Sequence, residues 1–147
     1  MTYSVAAEPN LSLTSRTDRG GYVIAVLRGE LDIASAPVLR EQLFSLLRSA
    51  SQLIIDMSAV GRADASGLAV LVGCGRRARL LGGSLRLAAP SPEVVRVLSA
   101  TGIDQHLDIF PTVRAAITGP RPHEGPADSG PTSPAGRSPS TQRGAAA

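Results

Sequence analysis

Residues 52–73, "QLIIDMSAVGRADASGLAVLVG", hold the transition that decides the fold. "QLIIDM" (52–57) is apolar on both faces, the pattern of a central strand covered from two sides. From about Ser66 the apolar residues recur at helical spacing as far as Leu81, where Gly82-Gly83 stops the helix. A strand that runs straight into a helix leaves the first backbone N–H groups of that helix unpaired and partly positive. The residues at this junction are Asp64, Ala65, Ser66, Gly67 and Leu68. Ser66 lies close to the N-cap position, Gly67 lets a partner backbone approach, and Asp64 precedes both. Two readings follow. In one, Ser66 caps the helix and Asp64 satisfies loop amides. In the other, the turn is a surface site whose hydroxyl accepts phosphate, the added charge being stabilised by the helix end or repelled by Asp64.

Working outward, "LSLTSR" (11–16) alternates like a strand with one exposed face, and "YVIAVLR" (22–28) reads as a doubly covered strand. Arg19-Gly20-Gly21 makes the hairpin turn between them. "SAPVLREQLFSLLRSA" spaces Leu39, Leu43, Leu46 and Leu47 as one helical face, with Ser35 as candidate N-cap and Pro37 in the first turn. "SLRLA" (84–88) is a further strand, and "SPEVVRVLSATG" a helix with Ser91-Pro92 at its start and Gly102 at its stop. A short strand at 107–110 and a helix at 112–117 close the domain. This order predicts an α/β fold: a mixed, mostly parallel sheet of about five strands covered by about four helices. The expected domain is 1–118. From 119 onward Pro, Gly and Ser dominate and alanine is the only hydrophobic residue, so 119–147 is expected to be a disordered tail.

Composition removes several classes of function. All 15 basic residues are arginine, which excludes mechanisms that need a lysine. The 2 histidines, His106 and His123, and the single cysteine, Cys74, are too few for a metal site of the usual kinds, and no cofactor is expected. With a formal charge of only +3 and few aromatic residues, direct nucleic-acid binding is not expected. No apolar run is long enough to insert in a membrane, and "MTYSVAAEPN" lacks a signal-peptide layout, so the expected location is the cytoplasm. Gly73-Cys74-Gly75-Arg76-Arg77-Ala78 resembles a dinucleotide fingerprint but falls in the body of a helix. Its glycines cost about 1 kcal/mol each there, and close packing on the sheet or on a partner is the simpler account. A serine hydrolase would need a glycine two residues before Ser66, where Asp64 stands, and His106 as its base.

Taken together, "LRGELDIASAPVLREQL", the Asp64-x-Ser66-Gly67-Leu68 turn and "GGSLRLAAPSPEVVRVLSATGIDQHLDIF" resemble the STAS domain of bacterial anti-sigma factor antagonists over about residues 11–117. The resemblance implies a switch protein without catalysis of its own. Such a protein binds an anti-sigma factor that is commonly also a serine kinase, releases a sigma factor for transcription, and is reset by a phosphatase. It also implies a contact surface formed by the Asp32 loop, by Asp64, Ala65, Ser66, Gly67 and Leu68, and by the exposed side of the helix that follows. In the family turn the residue after Asp is the phosphorylated one. Here it is Ala65, and Ser66 is the remaining acceptor candidate. A shift of one residue at a helix start turns the side chain by about 100°, which favours a protein not switched at this site over one phosphorylated on Ser66. The alternative is a STAS adaptor subunit of a transport ATPase or other assembly, not phosphorylated.

Overall fold

A computed structural model describes residues 10–120; the region expected to be a tail lies outside the described residues from 121 onward. The elements are β1 (Leu11–Thr17), β2 (Val23–Leu31), α1 (Ala36–Ser49), β3 (Gln52–Ala63), α2 (Ala65–Leu80), β4 (Ser84–Ala88), α3 (Pro92–Thr101), a 3-10 turn (Ile103–Gln105), β5 (Asp108–Phe110) and α4 (Val113–Thr118). The strands form one five-stranded sheet in the order β1-β2-β3-β4-β5. Only the β1–β2 pair is antiparallel; the other three pairs are parallel. This is the architecture expected from the alternation of strand and helix patterns.

The doubly apolar strands are covered on both faces. Leu53 and Ile55 of β3 face a core completed by Leu39 and Leu43 of α1, Leu68 and Leu71 of α2, and Val94 and Leu98 of α3. Ile54, between them in sequence, points the other way into a smaller cluster with Tyr22, Ile24, Ala88 and Ala116 of α4. Period-two alternation of side chains along the strand explains the division.

Arg86 stands in this smaller cluster and is fully buried. Its guanidinium donates to the backbone carbonyls of Ala116, Gly119 and Pro120, at the C-terminal end of α4. It also lies 5.5 Å from the ring centroid of Tyr22 and 5.3 Å from that of Phe110. Helix-end carbonyls and ring faces are both negative, so together they offset the desolvation of the cation.

Two boundaries differ from the expected ones. β2 and β3 each run further than the sequence pattern suggests, to Leu31 and Ala63. β3 pairs with β4 only as far as Asp56↔Ala88, but its pairing with β2 continues to Leu31↔Ala63. Beyond the point where β4 ends, the two strands form a projecting ribbon with Ser58, Gly61 and Arg62 exposed, which breaks the apolar pattern that marks a buried strand.

Candidate functional site

The tip of the β2–β3 ribbon carries the residues singled out in the sequence. Leu31 and Ala63 are register partners in a parallel pair. Asp32 and Asp64 are the next residues of their chains, so the two acidic turns emerge side by side at the same end of the sheet.

Each carboxylate organises its own turn. Asp64 is the N-cap of α2: its backbone is extended (φ −115°, ψ 174°) and its Oδ1 accepts from the Gly67 N–H at 2.9 Å. Ser66 therefore lies within the first turn of the helix instead of capping it. The cap falls to the residue whose backbone is non-helical and whose side chain reaches three residues ahead, and only Asp64 meets both conditions. In the other turn, Asp32 Oδ1 accepts from the N–H groups of Ala34 and Ser35, both at 3.0 Å. Ser35 precedes α1 as expected, but its side chain makes no bond to the amides of that helix. The buried Ser35 hydroxyl turns back, accepting from the Asp32 N–H at 2.9 Å and donating to the Glu30 carbonyl at 3.0 Å. Both aspartates spend one oxygen on the backbone, and Oδ2 of each makes no hydrogen bond among the described residues.

The named residues divide into a surface and its support. Asp64, Ala65 and Ser66 are exposed, and Asp32 is half-buried. Gly67 and Leu68 are buried. Leu68 points into the main core, and a Cβ on Gly67 would lie 2.6 Å from the Leu31 carbonyl oxygen. The close approach that needs this glycine is therefore made by the chain's own β2, not by a partner. Ile33, between Asp32 and Ala34, is 71% exposed and adds an apolar side chain to the tip. Sequence reading passed over it; its signal is a large apolar residue inside a loop segment that otherwise reads as polar or small.

Among the described residues, the histidine that the sequence offers as a base for Ser66 stands at the other end of the sheet. His106 follows the 3-10 turn and precedes β5, at the N-terminal ends of the parallel strands, whereas Ser66 follows the C-terminal end of β3. His123, the other histidine, lies outside the described residues. Cys74 is buried in the core, and burial raises its thiol pKa from 9.0 to about 11, with Arg40 pulling the other way. A thiol so held is a packing group and not a nucleophile. Among the described residues there is no cluster of His, Cys, Asp and Glu able to hold a metal ion, and no helix is long and apolar enough to cross a membrane.

The fold is thus a five-stranded sheet with one antiparallel edge strand, three helices on one face and one on the other, and a strand-to-helix turn capped by aspartate. The family model for the STAS domain matches residues 15–116, and the chain belongs to that family. It is 39% identical over 83 residues to the anti-sigma-B factor antagonist of Bacillus subtilis, a match that covers 56% of this chain and 76% of the relative. The crystal structure of an anti-sigma factor antagonist from Mycobacterium paratuberculosis superposes with a TM-score of 0.66 at 27% identity, covering 75% of this chain and 94% of that one. The unphosphorylated form of the antagonist SpoIIAA shares the fold, with a TM-score of 0.61 at 22% identity over 72% of this chain and 93% of that one.

Proposed function

We propose that this chain binds an anti-sigma factor, which is also a serine kinase, and so frees a sigma factor for transcription. The docking surface is the tip of the β2–β3 ribbon: Asp32 and Ile33, the exposed Asp64, Ala65 and Ser66, and the exposed side of α2. The observation that carries this reading is the Leu31↔Ala63 pair, which brings two acidic turns together beside an exposed apolar side chain. Carboxylates with an unused oxygen suit a basic partner group, and Ile33 supplies area that gains by being covered. Gly67 and Leu68 act from beneath by fixing the turn. The protein works in the cytoplasm with its partner.

The complex is not switched by phosphate at this turn. Ala65, first in the helix after the Asp64 cap, has no hydroxyl, and Ser66 follows it by about 100° of helical rotation. The test is titration of the purified chain with anti-sigma factors of its own organism in a calorimeter, followed by incubation with the bound one and ATP and mapping of phosphate by mass spectrometry. The expected result is a complex with one of them, weakened by Ser66→Asp, and no phosphate on Ser66. Absence of any complex overturns the docking reading. Phosphate on Ser66 would restore the switched one.

A further inference from the structure

We propose that the groove between α1 and α2 seats an acidic segment of the protein partner. The inference rests on the docking reading above and extends it from the ribbon tip along the helices. The groove begins at Ser66 and follows the face of α2 formed by Ala69, Val70, Gly73 and Arg76. On the α1 side Arg40, Phe44 and Arg48 line it, with Glu41 as the opposing charge.

Three features give it a sign and a floor. First, Phe44 is half-buried at its base, with the Arg40 guanidinium 5.3 Å and the Arg77 guanidinium 5.0 Å from the ring centroid. Ring contact holds these cations beside the groove while leaving their N–H donors available to carboxylates. Second, Arg40, Arg48, Arg76 and Arg77 are all exposed. Four guanidinium groups against one carboxylate favour an anionic occupant.

Third, the two glycines in the body of α2, Gly73 and Gly75, differ. A Cβ on Gly75 would meet Leu107 at 3.2 Å, so that glycine serves packing inside the fold. A Cβ on Gly73 would meet nothing within 4 Å. Gly73 opens the groove floor at a cost in helix stability that no internal contact offsets. The acidic turns at the head of the groove argue for a protein segment over a nucleic acid, because Asp32 and Asp64 would repel a continuous phosphate backbone. The surface is bipolar, negative at the tip and positive along the helices, and calls for a partner of the reverse polarity.

The experiment uses the anti-sigma factor that the whole chain binds in the titration above. Arg40→Glu with Arg77→Glu is expected to weaken the complex at least tenfold, as loss of about 1.4 kcal/mol from paired charges would. Gly73→Gln, which fills the floor from a position that touches nothing in the chain, is expected to weaken it too. Arg19→Glu with Arg114→Glu, the same change in net charge at exposed positions in the β1–β2 turn and on α4, away from the ribbon tip and α2, is expected to leave affinity within about twofold. Circular dichroism melts check that each variant is folded. A wild-type complex left intact by both groove variants overturns this inference alone. Equal losses from the groove pair and the control pair overturn it as well, since net charge would then be the cause. No wild-type complex overturns it together with the docking reading. A fluorescent 20-base-pair DNA duplex serves as a second probe: binding that the groove variants abolish would assign the groove to nucleic acid and overturn the inference.

Discussion

The Asp64 N–H donates to the Leu31 carbonyl at 3.0 Å, and that same carbonyl oxygen is the atom a side chain on Gly67 would strike. The end of β2 is thus fastened to the start of α2, with Asp64 holding the carbonyl from one side and Gly67 leaving room for it on the other. The position of the exposed Ala65 and Ser66 depends on this junction.

Gly67→Ala is expected to destabilise the fold by about 2 kcal/mol, the typical cost of forcing a methyl group into a filled site. Urea unfolding followed by circular dichroism measures it. Because the methyl group meets backbone as well as the Leu31 side chain, trimming Leu31 should not rescue the variant.

Gly73→Ala should stabilise the fold and Gly75→Ala should not. At Gly73 the helix gains about 1 kcal/mol, because nothing stands within 4 Å of the new methyl group. At Gly75 the Leu107 contact at 3.2 Å uses up that gain, and the midpoint of urea unfolding is expected to stay level or fall. Equal stabilisation at both positions would contradict the packing described for Gly75.

Arg86→Met keeps much of the side chain's length but removes every donor to Ala116, Gly119 and Pro120. Carbonyls left without partners make the expected loss about 3 kcal/mol. Amide exchange in α4 should accelerate more than in α1, because the guanidinium holds the end of α4 directly.

Cys74 sets an alkaline limit on stability. Burial raises its pKa from 9.0 to about 11, against a smaller opposing effect of Arg40, so the folded state prefers the neutral thiol. With the folded value above the unfolded one, the contribution is fully present below pH 9 and is lost as the pH climbs from about 9 through 11. Unfolding midpoints at pH 8, 9.5 and 11 should fall more for the wild type than for Cys74→Ala. A disulfide reagent at pH 8 should label Cys74 only after denaturation.

The parts of this protein legible from local pattern were those fixed by local physics. Apolar patterns and turn residues located the five strands and four α-helices of the described residues, though not the 3-10 turn, and Ser91 does cap α3, accepting from the Val94 N–H at 3.3 Å. Gly102 closes the same helix with a φ of 77°. Asp18 shows the same locality, its Oδ1 accepting from Gly20 and Tyr22 in the hairpin turn. At the functional end, pattern was a poorer guide. Ser66 and Asp64 are both good capping residues, and the choice between them depended on where β3 stops pairing with β2, which lies on the far side of α1 in the chain.

Residue types and their spacing alone determined the alternation of strand and helix, the parallel sheet, and the presence of a carboxylate and a hydroxyl where β3 becomes α2, because backbone hydrogen bonding and amphipathic burial act over a few residues. Only tertiary structure decided that Asp32 and Asp64 stand together, that Gly67 and Leu68 face inward, and that Phe44, Arg40 and Arg77 meet over a groove. Those facts come from strand register and from the packing of α1 beside α2. Both are contacts between segments far apart in the chain, whose energies no local window contains.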